Sequence, residues 1–195
     1  LFGQSPNGQG TRQLLDGTVS VSNVTFARDG ERVAFMSDKA EFGADKPNSD
    51  LYLWSSKDDL SEDGSGHANR IAYVGAAGMP QAMSVTGQPS FSRDGGALSF
   101  SVTAPKKPAP LPILPEDKVD LDLWSYRDGL LQTMQAAGRG RRGGGDSLTA
   151  VYWSDTDKLV VVGDERTPSL SFLGHDGAHM TGSAGRPYEQ EGQWD

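Results

Sequence analysis

The sequence predicts an all-β protein built from repeated antiparallel sheets, and two matched pairs of segments are the reason. Residues 50–55 and 120–125 share the pattern Asp-Leu-x-Leu-Trp-Ser. Upstream of each lies a Phe-x-Arg-Asp-Gly segment, at residues 26–30 and 91–95. An internal repeat of this kind is typical of folds that stack copies of one supersecondary unit. The strands predicted for one copy therefore predict the strands of the other.

Each copy is predicted to begin with a β-hairpin. In the first copy, apolar residues stand on both sides of Asp29-Gly30, and glycine adopts the positive φ of a tight hairpin turn without steric cost. The apolar residues are Val24, Phe26, Val33 and Phe35. Residues 91–100 repeat the pattern, so we expect a second hairpin there.

The third strand of each copy is predicted to be apolar on both faces. Leu51 and Leu53 point to one face, whereas Tyr52 and Trp54 point to the other. Such a strand belongs to a sheet covered on both sides. A weaker fourth strand follows at residues 70–74 in the first copy and at 130–134 in the second. Four short antiparallel strands with both faces covered form the blade of a β-propeller.

The repeat divides the chain into three units and two partial blades, all within one propeller domain at residues 1–195. The units lie at about residues 21–74, 88–135 and 147–185, and the third is degenerate. It opens with a predicted strand at residues 148–154, which turns at 155–157 into a second strand at 158–162. It also contains a further strand, Asp-Gly turn and strand at residues 170–180. Because a ring has about 4–8 blades, we expect an incomplete ring whose missing blades come from further chain segments.

Two connecting segments are not expected to form central strands. Residues 104–115 are too rich in proline to donate the hydrogen bonds of a central strand, so a protruding loop is predicted. Residues 138–145 form a basic, glycine-rich connector. It lacks the Gly-Lys-Ser/Thr of a phosphate loop and the aromatic residues that would stack on bases. A solvated linker is therefore favoured over a nucleic-acid tail.

Composition excludes several classes of function. The formal net charge of −8 and the sequence pI near 4.8 argue against a general binder of nucleic acid or of anionic membranes. No apolar run approaches the length that crosses a membrane, so membrane insertion is not expected. The chain has no cysteine, which excludes disulfides, thiol catalysis and zinc–thiolate sites.

Candidate catalytic and metal-binding residues are weak. Ser147 lies in Gly-Asp-Ser-Leu-Thr, which ends in threonine and precedes a strand, unlike a Gly-x-Ser-x-Gly nucleophile elbow. His175 and His179 are four residues apart, as metal ligands on a helix are, but an Asp-Gly turn separates them. His175 aligns with Arg28 and Arg93, so exposed turn positions are expected. His67 lies in a polar loop without a neighbouring ligand candidate.

Two binding motifs are also better explained as structure. The segment that begins at Ser92-Arg93-Asp94 resembles a sialidase-type Asp box, but Ser99 stands where the aromatic residue belongs. An ordinary hairpin turn is therefore favoured. Trp residues recur at repeated strand positions, which favours packing between blades over a carbohydrate-binding platform. They are Trp54, Trp124 and Trp153. We predict no catalytic, cofactor-binding or metal-binding residue in this chain, and no cofactor.

Together these segments resemble the N-terminal propeller of bacterial serine peptidases of the prolyl oligopeptidase family. The resemblance spans about residues 12–195. It rests on the hairpins, the Asp-Leu-x-Leu-Trp strands, residues 124–135, and the Arg-Pro-Tyr of residues 186–188 before Trp194-Asp195. The Phe-x-x-Asp-Gly element alone also occurs in Tol-system propellers.

The resemblance implies a non-catalytic role. In that family the propeller caps a C-terminal α/β-hydrolase domain that holds the catalytic Ser, Asp and His, and the ring limits access so that peptides, rather than folded proteins, reach it. The implied partners are thus that hydrolase domain and peptide substrates, not nucleic acid. The implied location is the periplasm or the outside of the cell. The alternative is a Tol-like propeller that binds a protein partner and has no enzymatic activity.

Overall fold

The computed structural model describes residues 2–4, 11–45, 47–56, 67–105, 147–175 and 177–184. This part of the chain is all-β, and its strands form two four-stranded and two two-stranded antiparallel sheets. Its helical content is a single 3-10 turn at Lys39–Glu41. No helix in these residues is long and apolar enough to cross a membrane. The expected all-β class with negligible helix is confirmed.

The strands are β1 (Phe2–Gln4), β2 (Thr11–Gln13), β3 (Val21–Phe26), β4 (Arg32–Ser37), β5 (Asp50–Ser55), β6 (Asn69–Ala72), β7 (Ser84–Phe91), β8 (Ala97–Thr103), β9 (Ser147–Trp153), β10 (Lys158–Val161), β11 (Leu170–Leu173) and β12 (His179–Gly182). The first large sheet has the order β3-β4-β5-β6. These four strands are the ones predicted for the first unit. The second large sheet has the order β10-β9-β8-β7.

The first hairpin turns where the Asp-Gly pair predicts it. Gly30 has φ +74°, and the Ala27 N–H donates to the Arg32 carbonyl at 2.9 Å. Asp29 adds a side-chain bond, because its Oδ1 accepts from the Glu31 N–H at 2.9 Å. The turn is thus closed by backbone and carboxylate together, as expected for aspartate in a tight turn.

The second hairpin repeats this geometry. Gly95 has φ +76°, and the Ser92 N–H donates to the Ala97 carbonyl at 2.8 Å. Asp94 Oδ1 accepts from the Gly96 N–H at 3.0 Å and from Ser92 Oγ at 2.6 Å. The segment that resembles an Asp box is therefore an ordinary hairpin turn, as predicted.

Both faces of the first sheet are covered, which confirms the prediction from β5. Leu51 and Leu53 belong to a core shared with the second sheet. Tyr52 lies in a separate cluster on the opposite face, where Leu14 and Leu15 cover it and Trp54 packs at its edge. The shared core consists of Ala34, Met36, Leu51, Leu53, Ala72, Ala76, Val85, Leu98, Phe100, Val102, Ala150, Tyr152 and Leu159. Two consecutive sheets therefore pack face to face through apolar side chains.

The second sheet differs from the predicted second unit. The third strand was expected at residues 120–125 and the fourth at 130–134, but both segments lie outside the described residues. The neighbour of β8 is β9, which pairs with it from Ala97↔Trp153 to Thr103↔Ser147. β9, the strand expected to open the third unit, therefore belongs to the second sheet. The predicted boundary between the second and third units, at residues 135–147, does not separate two sheets. The pairing of β9 with β8 places Ala150 in the shared core. Burial of this side chain stabilises the pairing.

The remaining strands form two small sheets. β11 pairs with β12, so the predicted strand, turn and strand at residues 170–180 is confirmed. At the other end of the chain, β2 pairs with β1. The residues after β2 run onto the first sheet, where the Leu14 carbonyl accepts from the Ala68 N–H at 2.9 Å. The Pro-rich residues 106–115 and the connector at 138–145 lie outside the described residues.

Candidate functional site

An open groove of about 640 Å³ lies where the first strands of three hairpins converge. These strands are β3, β7 and β11, one from each of three sheets. The lining residues come from these strands, from the turns that follow them, and from Ser99 on β8. They are Thr25, Phe26, Arg28, Ser90, Phe91, Ser92, Arg93, Ser99, Leu170, Ser171, Phe172 and Gly174. The volume is in the range of pockets that bind small molecules.

The three Asp-Gly turns lie together at one end of this groove. The second turn is held from both sides. Arg32, which follows the first turn, donates from Nη1 to the Gly95 carbonyl at 2.5 Å. On the other side, the Asp94 N–H donates to the His175 carbonyl at 3.0 Å. The repeated sequence element therefore places three equivalent turns next to one another.

A glycine in the third turn allows its close approach. Gly177 has φ +63°, and a Cβ added there would lie 2.7 Å from the Ala97 Cβ and 3.2 Å from the Ser92 Cβ. A larger residue would push the third turn away from the second. Only glycine meets both the backbone and the steric requirement.

A side chain also joins the first strands of the two large sheets. Asn23 lies where the β3–β4 register shifts, between Ser22 and Thr25, and it has φ +52°. Its Nδ2 donates to the Gly87 carbonyl on β7 at 2.9 Å. Gly87 lies in the corresponding irregularity of β7, between Thr86 and Ser90. These matched bulges bring the walls of the groove together.

Two arginines give the groove its charge. Arg28 and Arg93 hold the same position in the first and second turns, and both are exposed. Arg93 Nη1 lies 3.3 Å from His175 Nε2. His175 is exposed in the third turn, which confirms its predicted alignment with the two arginines.

The aspartates of the first two turns do not line this groove. Asp29 accepts from its own turn, and Asp94 does the same through Ser92 and Gly96. The hydrogen bond from Ser92, followed by that from the Gly96 N–H, lowers the pKa of Asp94 below its usual range. The described lining therefore contains two guanidinium groups and no carboxylate.

The groove also has apolar and unpaired edges. Phe26 is 67% exposed at its wall. In the described chain, β3 pairs only with β4 and β7 only with β8, so each has a second edge without a strand partner. Unpaired edges offer backbone N–H and C=O groups to an extended ligand. The groove can thus contact a peptide by apolar, backbone and charged groups.

A second depression, of about 430 Å³, lies between β6 and the β9–β10 end of the second sheet. Arg70 stacks over the Tyr73 ring at 4.0 Å from its centroid, and its Nη2 lies 2.8 Å from Oδ2 of buried Asp50. Burial raises the pKa of Asp50, although the Arg70 guanidinium opposes the rise. The ion pair joins β5 to β6, so we assign it a structural role.

The weak catalytic and metal candidates do not come together. Ser147 begins β9 opposite Thr103. His67 and His179 are exposed, and no three His, Cys, Asp or Glu side chains of the described residues are placed to hold a metal ion. Of the tryptophans, Trp54 packs against the Leu14 cluster and Trp153 is half-buried at the end of β9. Trp124 lies outside the described residues.

Sequence reasoning missed the groove and the Asn23 contact. The available signal was the arginine before the Asp-Gly pair of the first two hairpins, because it repeats at one turn position. Comparison of the sequence with protein-family models and with curated proteins finds no match. The geometry of the molecule itself is therefore the basis for a functional proposal.

Proposed function

We propose that this chain is a non-catalytic part of the β-propeller of a prolyl-oligopeptidase-like serine peptidase. In that role it limits the access of substrates to a C-terminal α/β-hydrolase domain. The observation that carries the proposal is the convergence of β3, β7 and β11 around one open groove. In a propeller, the blades likewise surround a central channel.

The packing of the two large sheets supports the same proposal. They are consecutive in the chain, antiparallel, and joined through one apolar core. The hydrogen bond from Asn23 to Gly87 joins the matched bulges and brings β3 close to β7. The hydrogen bond from Arg32 to Gly95 keeps the first two hairpin turns together at one end of the groove. Repetition of such contacts from blade to blade would produce a ring with a narrow opening.

The size of the groove suits a gating role. About 640 Å³ accommodates a short extended peptide or a single loop. A folded domain is far larger than such a groove. We therefore infer that an extended peptide can reach a catalytic site behind the ring, whereas a folded protein is held outside.

The experiment that tests the proposal compares one cleavable sequence in two settings. The full-length protein that contains this chain is given a fluorogenic peptide, and separately the same sequence in a surface loop of a stable folded domain. We expect rapid cleavage of the free peptide and little cleavage of the folded substrate until that substrate is unfolded.

A control and a contradicting outcome accompany this comparison. An unrelated serine peptidase with an open active site should cleave both substrates, which shows that the loop is accessible. Equal cleavage of both substrates by the full-length protein contradicts gating. If the surrounding coding sequence contains no Gly-x-Ser-x-Gly elbow and neither substrate is cleaved, the Tol-like binding module is the better account.

A further inference from the structure

We propose that the groove between β3, β7 and β11 binds an extended peptide that carries acidic side chains, whose carboxylates pair with Arg28 and Arg93. The inference that this peptide is a substrate rests on the proposed function. The binding itself does not, because it is argued from the described residues that line the groove. The chemical class recognised is an aspartate- or glutamate-containing segment.

The contrast between local and overall charge is the first observation. The chain has a formal net charge of −8, yet the described lining of this groove holds two arginines and no acidic residue. An acidic protein repels anionic ligands from most of its surface, so a cationic groove concentrates them at one place. Charge complementarity thus favours an anionic segment over a neutral or basic one.

The state of the two guanidinium groups is the second observation. Arg28 has no hydrogen-bond or ion-pair partner among the described residues. Arg93 contacts His175 through Nη1, which leaves other N–H donors of its planar fork for a ligand. Guanidinium groups pair with carboxylates through two parallel hydrogen bonds. The carboxylates that could have neutralised them, Asp29 and Asp94, accept hydrogen bonds within their own turns.

The apolar and edge groups explain why the ligand is a peptide and not a free anion. Phe26 is largely exposed beside Arg28, and Leu170 and Phe172 line the same groove. Among the described residues, one edge each of β3 and β7 has no strand partner, and such an edge can add main-chain hydrogen bonds to an extended segment. A single small anion would use none of these groups.

The test is isothermal titration calorimetry of the full chain with short peptides acetylated and amidated at their ends. The probes share one sequence with a central phenylalanine, flanked by two glutamates, two glutamines or two lysines. We expect the glutamate peptide to bind about tenfold more tightly than the glutamine peptide, since a charge-assisted pair contributes at least that factor. Raising the salt concentration should reduce the difference.

Variants locate the binding. Arg28→Gln and Arg93→Gln should each weaken binding of the glutamate peptide several-fold, and the double variant should bind both peptides equally. The matched control is Arg166→Gln, because Arg166 is exposed in the β10–β11 loop and does not line the groove. This variant should bind like the unaltered chain.

Several results would overturn the inference. Equal affinity for the glutamate and glutamine peptides, tighter binding of the lysine peptide, or an equal loss in Arg166→Gln would each do so. A glutamine peptide with a free C-terminus that binds like the glutamate peptide would assign the groove to a terminal carboxylate instead. The peptide comparison uses the unaltered chain, so it decides the matter even if a variant fails to fold. Selective binding without any hydrolase in the full-length protein would refute the proposed function alone.

Discussion

At the scale of single residues, the buried Asp50–Arg70 pair shows how one ion pair affects stability. Asp50 is 3% exposed, and its Oδ2 lies 2.8 Å from the Arg70 guanidinium. Burial raises the pKa of Asp50, which means that ionisation is less favourable in the folded state than in the unfolded one. Arg70 reduces that penalty.

We therefore expect Arg70→Leu to lower the free energy of unfolding by about 2 kcal/mol at neutral pH, because the carboxylate loses its cation. The loss should be smaller near pH 4, where the raised pKa keeps more of the Asp50 carboxyl protonated in the folded state. Urea denaturation at the two pH values measures this. Adding Asp50→Asn to Arg70→Leu should recover part of the loss at neutral pH, and an equal loss at both pH values would contradict the account.

Two turn glycines provide a second prediction at this scale. Gly30 and Gly177 both have positive φ, but an added Cβ meets nothing within 4 Å at Gly30, whereas at Gly177 it lies 2.7 Å from the Ala97 Cβ. Gly30→Ala should cost about 1 kcal/mol from backbone strain alone. Gly177→Ala should cost at least about 1 kcal/mol more because it also clashes. Thermal denaturation compares them, and equal losses would mean that the third turn does not pack against the second.

At the scale of elements, the first sheet shows how far local sequence determines structure. The alternation around Asp29-Gly30 and the two apolar faces of β5 predicted its strands and their order, because hairpins and short connections leave few alternatives. In the second sheet, the hairpin of β7 and β8 and the strands β9 and β10 were predictable from the sequence, but the pairing of β9 with β8 was not. Across the long segment between β8 and β9, the pattern of a strand does not identify its partner, since pairing also depends on register and on the fit of the core.

The groove could not be predicted for the same reason. It depends on how three separate sheets sit relative to one another, which no local pattern specifies. The arginine of the first two turns and the histidine at the same position of the third indicated an exposed turn position. Only the packing through Gly95 and Gly177 shows that these positions meet in space.

Strand pairing in the second sheet can be tested by cysteine cross-linking, because the chain contains no cysteine. Ser101 on β8 lies opposite Thr149 on β9, so Ser101→Cys with Thr149→Cys should form a disulfide on mild oxidation. The control combines Ser101→Cys with Leu121→Cys, the partner that the sequence repeat predicts. Gel mobility with and without a reductant reports the bond. Faster cross-linking of the control pair would show that residues 120–125 occupy the place of β9.

At the scale of the whole molecule, repetition links the fold to its proposed role. Matched hairpins place equivalent turns at one end, matched bulges join β3 to β7, and the shared core fixes the two large sheets face to face. The result is a groove whose walls belong to different sheets. Under the proposed function, this groove admits an extended peptide and excludes a folded domain.

The central claim is that this chain guards a catalytic serine that lies elsewhere in the same protein. The most direct measurement is to label the full-length protein with a fluorophosphonate probe, which reacts with activated serines, and to map the modified residue by mass spectrometry. The account predicts one labelled serine in a Gly-x-Ser-x-Gly segment outside residues 1–195, with these residues unlabelled. Stoichiometric labelling of Ser147, or no labelled serine anywhere in the protein, would contradict it.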